Sequence, residues 1–250
     1  MNSNNKNSAV LITGASRGIG LATAKAFAKE GYPLYLCCKN NIDKLTETAK
    51  ELHTEYGISC SAFKCDVGNE LSVSQMFAEM KKQPLGAPTT IINNAGIAYY
   101  GLLTDMSAAD WKNVISTNLD SVFYISNHAI PFMLKEGSGK IINISSVWGN
   151  VGASCEVAYS ASKGGVNAFT KALAKELAPS NIQVNAICCG AIDTEMNSSH
   201  LSPEELSELA SEIPADRLGT PDEVAKLALM LMDAPEYLTG QIITMDGGWI

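Results

Sequence analysis

Val10-Leu11-Ile12-Thr13-Gly14-Ala15-Ser16-Arg17-Gly18-Ile19-Gly20 reads as a short apolar strand, a glycine-rich turn and the first turn of a helix. Glycines at 14, 18 and 20 let the backbone turn tightly and approach a pyrophosphate, which then rests on the positive helix N-terminus. Tight turns use the same residues for purely structural ends. The place of this loop, between a first strand and a first helix, is what predicts a dinucleotide site.

The cycle of apolar run, turn and helical stretch recurs along the chain. Apolar runs lie at Ala9–Thr13, Pro33–Cys38, Ser59–Cys65, Thr90–Asn93, Lys140–Ser145, Gln183–Ile187 and Gln241–Met245. Most are apolar on consecutive positions, as parallel strands buried on both faces require. Between them, Leu45, Ala49, Leu52 and Tyr56 recur at helical spacing, and Pro221-Asp222-Glu223 opens a helix with acidic first-turn residues. The alternation predicts right-handed βαβ crossovers, hence an α/β, Rossmann-type doubly wound parallel sheet of about seven strands flanked by helices. No Pro/Ser-rich linker or repeat divides residues 1–250, so one domain is expected, with a flexible polar start over residues 1–8. Residues 197–212 break the rhythm. Ser202-Pro203-Glu204-Glu205 reads as a helix start, which leaves a substrate-covering flap and a plain surface connection both open.

Composition narrows the function classes. The chain is 46% hydrophobic and 18% charged, the balance of a globular protein. A net charge of −8 argues against a nucleic-acid partner, which needs a basic face. No apolar run approaches the ~20 residues of a membrane span, and the Asn-rich start lacks the apolar stretch of a signal peptide. Seven cysteines match no zinc spacing, and His53, His128 and His200 stand far apart, so no metal is expected. A reducing, cytoplasmic setting follows as the simplest expectation.

The end of the second strand distinguishes between dinucleotides. An acidic residue there would bind a ribose 2′-hydroxyl, but Leu36-Cys37-Cys38-Lys39-Asn40 offers a lysine and no carboxylate before Asp43. With Arg17 as a second cation, a 2′-phosphate and hence NADP(H) is predicted. Asp66, ending the third strand, stands either as an adenine partner or as a cap for the helix beginning near Asn69. At the other end, Ser146 is expected just after the fifth strand, where parallel sheets open onto their ligand crevice. Tyr159 and Lys163 stand four apart on one helix face. An ammonium beside a phenol is expected to lower the phenol's pKa toward the range useful for acid–base work, with Ser146 holding a carbonyl oxygen beside it.

With Asn93-Asn94-Ala95-Gly96, Asn118, Gly190 and Thr194, these pieces resemble the short-chain dehydrogenase/reductase family from Val10 to Trp249. The resemblance implies catalysis by Asn118, Ser146, Tyr159 and Lys163, with Asn118 supporting a bound water in a proton relay. It implies cofactor contacts from Gly14, Ser16, Arg17, Gly18, Ile19 and Gly20, from Lys39, Asp66 and Val67, and from Asn94, Ala95 and Gly96. Lys163 would hold the nicotinamide ribose and Ile192 and Thr194 would contact the carboxamide and pyrophosphate, with Tyr159 and Gly190 as further cofactor contacts. A homotetramer is implied, built on long helices around Trp111–Leu134 and Tyr159–Leu177 and on the final strand. One departure is Cys189-Gly190, where the family usually has Pro-Gly. Without the fixed φ of proline, the cysteine is expected to loosen the loop or expose a thiol near the nicotinamide.

Two subfamilies compete for the ketone. The chain broadly resembles 3-oxoacyl-acyl-carrier-protein reductases, which often carry arginines before the fifth and sixth strands to dock an acidic carrier. Glu136-Gly137-Ser138-Gly139 and Pro179-Ser180-Asn181 have none, although Lys135 and Lys140 keep carrier docking open. The stretches Ser145–Gly149, Gly152–Val157 and Ser211–Pro214 resemble reductases of 5-aminopentanone-modified elongation factor P, and this is the preferred expectation. Glu156 is then either a counter-ion for the substrate ammonium or a solvated loop carboxylate. A non-catalytic NADP(H) sensor is disfavoured, because such proteins typically lack one of the Ser/Tyr/Lys set and all three are present.

Overall fold

Each of the seven apolar runs becomes a strand: β1 Val10–Thr13, β2 Leu34–Cys38, β3 Cys60–Lys64, β4 Thr90–Asn93, β5 Gly139–Ser146, β6 Ile182–Cys189 and β7 Ile242–Met245. The computed structural model describes residues 8–199 and 201–250, so the expected flexible start up to residue 7, and His200, lie outside the described residues. All strand pairs are parallel, in the order β3-β2-β1-β4-β5-β6-β7. The winding reverses between β1 and β4, which opens a crevice at their carboxyl ends.

Between the strands run α1 Gly18–Lys29, α2 Ile42–Tyr56, α3 Glu70–Met80, α4 Ala108–Ile115, α5 Ser121–Glu136, α6 Trp148–Val151, α7 Val157–Leu177, α8 Glu195–Ser198, α9 Pro203–Glu212 and α10 Pro221–Met232. Successive strand side chains point to opposite faces. Val10, Ile12, Leu34 and Leu36 therefore pack with Phe27, Leu45 and Val224 from α1, α2 and α10. Leu11, Tyr35, Ile91 and Val184 pack on the other face with Phe77, Ile125 and Met133 from α3 and α5. The helix starts at Ser202 and Thr220 each carry a reciprocal capping box, with Glu205 and Glu223.

The strands depart from their apolar runs where the site lies. Ser146 is the last residue of β5 rather than the first beyond it, paired with Cys189 as Ser145 is with Cys188. Ladder pairing uses backbone groups and is indifferent to side-chain polarity, so β5 and β6 outrun their apolar stretches. The long helix expected around Trp111–Leu134 is interrupted by a π-helical segment, Ser116–Asp120. No described helix is long and apolar enough to cross a membrane.

Candidate active site

The glycine loop is locked to the switch point of the sheet. Thr13 Oγ1 accepts the N–H groups of Asn94 and Ala95, both at 3.0 Å, and Asn94 Nδ2 donates to the carbonyls of Thr13 and Gly14 at 2.9 and 3.2 Å. A Cβ on Gly14 would lie 2.9 Å from Ala95 Cα, and one on Gly20 would lie 2.4 Å from Gly14 O. No side chain caps α1, so its first N–H groups stay available beside a cleft lined by Gly14, Ser16 and Arg17. That arrangement fits a pyrophosphate. Lys39, Asp66, Val67, Ala95 and Gly96 line the same cleft.

Neither cation is free in the protein alone. Arg17 pairs with Glu195 at 2.7 Å and Lys39 with Asp66 at 2.8 Å, so the carboxylate missing from the end of β2 is supplied by the end of β3. Asp66 is not the helix cap. Asn69 caps α3 by accepting the Ser72 N–H, while Asp66 accepts the Gly68 N–H across a tight turn.

The reacting end is a cleft lined by Ser146, Tyr159, Lys163, Glu156, Asn94, Ile19, Gly190, Ile192 and Thr194. Gly18 reaches it from the loop, where a Cβ would stand 3.5 Å from Thr194 Cγ2. Ser146 Oγ accepts the Trp148 N–H at 3.2 Å, which leaves its hydrogen for the Tyr159 phenol, with which it bonds. Lys163 is buried and donates to Ile144 O at 2.9 Å, with Nζ 5.6 Å from the centre of the Tyr159 ring. Asn118 lies on the π-helical segment, fixed by two hydrogen bonds with Ile97 and one to Ser162 Oγ. A Cβ on Gly96 would stand 3.4 Å from Asn118 Oδ1 and 3.5 Å from Lys163 Nζ, so that glycine keeps the two groups close. A π-bulge re-aims side chains for such a purpose.

Burial decides the electrostatics, against the sequence expectation. The Tyr159 phenol is pushed above its usual value by desolvation, and its bond with Ser146 opposes this only in part. Lys163 is not among the groups that move the phenol, and desolvation lowers Lys163 itself to about 8. Glu156, half-buried and hydrogen-bonded to Trp148, is raised by desolvation to about 7. Cys189 does not loosen its loop. Its carbonyl accepts the Val147 N–H, the Gly190 N–H donates to Met245 O, and the buried thiol is pushed up to about 12 by desolvation. Tyr100 and Trp249, which no motif marked, complete the walls, with Trp249 edge-on to Trp148 at 4.9 Å. Met196, Leu201 and Leu209, from α8, α9 and their junction, line the cleft from another side.

A seven-stranded parallel sheet with a glycine loop at its switch point and a Ser/Tyr/Lys cluster beyond it defines a nucleotide-dependent oxidoreductase. A family model described as enoyl-(acyl carrier protein) reductase matches residues 14–250, and the chain belongs to the short-chain dehydrogenase/reductase family. It is 38% identical over 244 residues to an uncharacterised oxidoreductase, YmfI, of Bacillus subtilis, spanning 97% of this chain and 99% of that one. It is 40% identical over 244 residues to the 3-oxoacyl-[acyl-carrier-protein] reductase FabG of Thermotoga maritima, spanning 96% of each. The solved structure of a variant actinorhodin polyketide ketoreductase with NADPH matches with a TM-score of 0.90 at 34% identity, over 97% of each chain.

Proposed function

We propose that this chain reduces a ketone to a secondary alcohol with NADPH, and that Tyr159 delivers the proton. The observation that carries the reading is that Ser146, Tyr159 and Lys163 line one cleft at the strand carboxyl ends. When bound, NADPH supplies the hydride. Its pyrophosphate would lie on Gly14, Ser16, Gly18, Ile19 and Gly20, and its adenosine half along Asp66, Val67, Asn94, Ala95 and Gly96. Lys39 and Arg17 would turn from their carboxylates to the 2′-phosphate. Lys163, Gly190, Ile192 and Thr194 would hold the other half.

Ser146 donates to the carbonyl oxygen as negative charge gathers there, and Tyr159 protonates it. Near neutrality the phenol is protonated, which is the state that reduction consumes. Asn118 and Lys163 back the phenol as the route of reprotonation.

The preferred substrate is the 5-aminopentanone group on elongation factor P. Glu156 stands in the cleft three residues before Tyr159, and an ammonium beside it would draw its raised carboxyl back to the ionised state. A 3-oxoacyl chain on acyl carrier protein is the second reading, favoured by relatives such as the Thermotoga maritima reductase. NADPH oxidation measured with acetoacetyl thioester beside aminopentanone-modified elongation factor P decides between them. Turnover of the modified factor alone sustains the first reading, and turnover of the thioester alone reverses it. In this reading α8 and α9 form the substrate-covering flap. The exposed Trp111, Phe123 and Val157 suit a homotetramer, and seven free cysteines suit a reducing cytoplasm.

A further inference from the structure

Behind the reacting groups lies a closed chain of polar side chains that none of the roles above uses. Ser145 Oγ donates to Asn167 Oδ1 at 2.6 Å, and Asn167 Nδ2 donates to Asn150 Oδ1 at 2.9 Å and reaches Cys188 Sγ at 3.7 Å. Asn150 Nδ2 points at the same sulfur from 3.4 Å. The sulfur thus receives two amide N–H groups, and its own hydrogen is directed at the backbone carbonyl of Ser146, 2.9 Å away. Ser145, Asn167 and Cys188 are all buried. Flipping the Asn167 amide alone would set its oxygen against Asn150 Oδ1, so the network has a sense.

The network joins the elements that present Ser146, Tyr159 and Lys163. Ser145 and Ser146 end β5, Cys188 and Cys189 end β6, Asn150 lies on α6, and Asn167 lies on α7 one turn beyond Lys163. Ser145 Oγ also approaches Lys163 O at 3.4 Å. Gly149, beside Asn150, lies so close to α7 that a Cβ there would stand 2.7 Å from Lys163 C. Side-chain networks with a buried, hydrogen-bonded core hold geometry at a site more tightly than packing alone.

We propose that Cys188, Asn167 and Asn150 are positioning residues for ketone reduction. Cys188 fixes the Ser146 peptide, and Asn167 ties α7, with Tyr159 and Lys163, to that strand. The proposal rests on the reading of Ser146 and Tyr159 as the reacting pair.

Three variants test it. Cys188→Ala removes the donor to Ser146, Cys188→Ser keeps a donor in the same place, and Asn150→Ala acts from the exposed end of the network. Cys188→Ala should lower kcat about tenfold, with the KM for NADPH unchanged and the alkaline limb of the kcat–pH profile displaced. Asn150→Ala should show the same signature more weakly, and Cys188→Ser should restore both kcat and profile. A purely structural contribution would lower the melting temperature but leave the kcat of the folded protein and its pH profile unmoved. The proposal is overturned by a kcat within about twofold of the parent in folded Cys188→Ala, or by a loss that serine does not restore. If Cys188→Ala does not fold, an unmoved pH profile in Asn150→Ala overturns it instead. Failure of the underlying reading shows separately, as turnover retained in Tyr159→Phe.

Discussion

The two ends of the crevice hold their charges in opposite ways. At the dinucleotide end, Arg17 and Lys39 are 61% and 56% exposed, and each faces one carboxylate. Such pairs are worth about 0–1 kcal/mol and exchange partners readily. At the reacting end, Lys163 is 4% exposed and bonds a carbonyl, with no carboxylate in ion-pair reach among the described residues. Ser146 and Asn118 are likewise buried and bonded on more than one side. In the proposed function, one end trades a carboxylate for a phosphate when the cofactor arrives. The other is already in place, because chemistry tolerates less movement than binding does.

Four substitutions would break or sharpen that contrast. The largest effect is expected from Tyr159→Phe, which should lower kcat by about 10²–10⁴-fold while NADPH titration by fluorescence stays close to the parent. A wild-type turnover number there would remove the preorganised end from the comparison. Next comes Glu156→Gln. In the parent, the KM for an ammonium-bearing ketone should fall as pH rises through about 7, since the carboxyl is neutral below that value and charged above it. The variant should lose this dependence and show a KM raised about tenfold at pH 8, and steady-state assays across pH 6 to 8 read both. The smallest effects belong to Lys39→Ala and Arg17→Ala. Each should weaken NADPH binding by a modest factor that shrinks with added salt, and leave NADH binding nearly unchanged. NADH binding equal to or tighter than that of NADPH in the parent would contradict the role given to the two cations.

Much of this was readable from local pattern. The consecutive apolar positions of β1, β2 and β4 and the helical spacing of Leu45, Ala49 and Leu52 reflect burial on particular faces, which sequence periodicity records directly. The last residue of β5 was not readable, because Ser146 pairs through the backbone while its side chain is polar. Nor was the π-helical turn that carries Asn118, since Ser116-Thr117-Asn118-Leu119-Asp120 has no marked preference for it. Glu195 lies 178 residues from Arg17, a separation at which local spacing carries no information.

By itself, then, the sequence determined the parallel sheet, the glycine loop at its first turn, and the Tyr159–Lys163 pair one helical turn apart. These follow from short-range sterics and periodicity. Only the tertiary structure decided what surrounds those groups. It paired both cations with acids, set Trp249 against Trp148, placed Cys188 under the Ser146 carbonyl, and pushed the Tyr159 phenol up by desolvation. Desolvation and ion pairing depend on which distant segments come within a few ångströms, and that is a property of the packed chain.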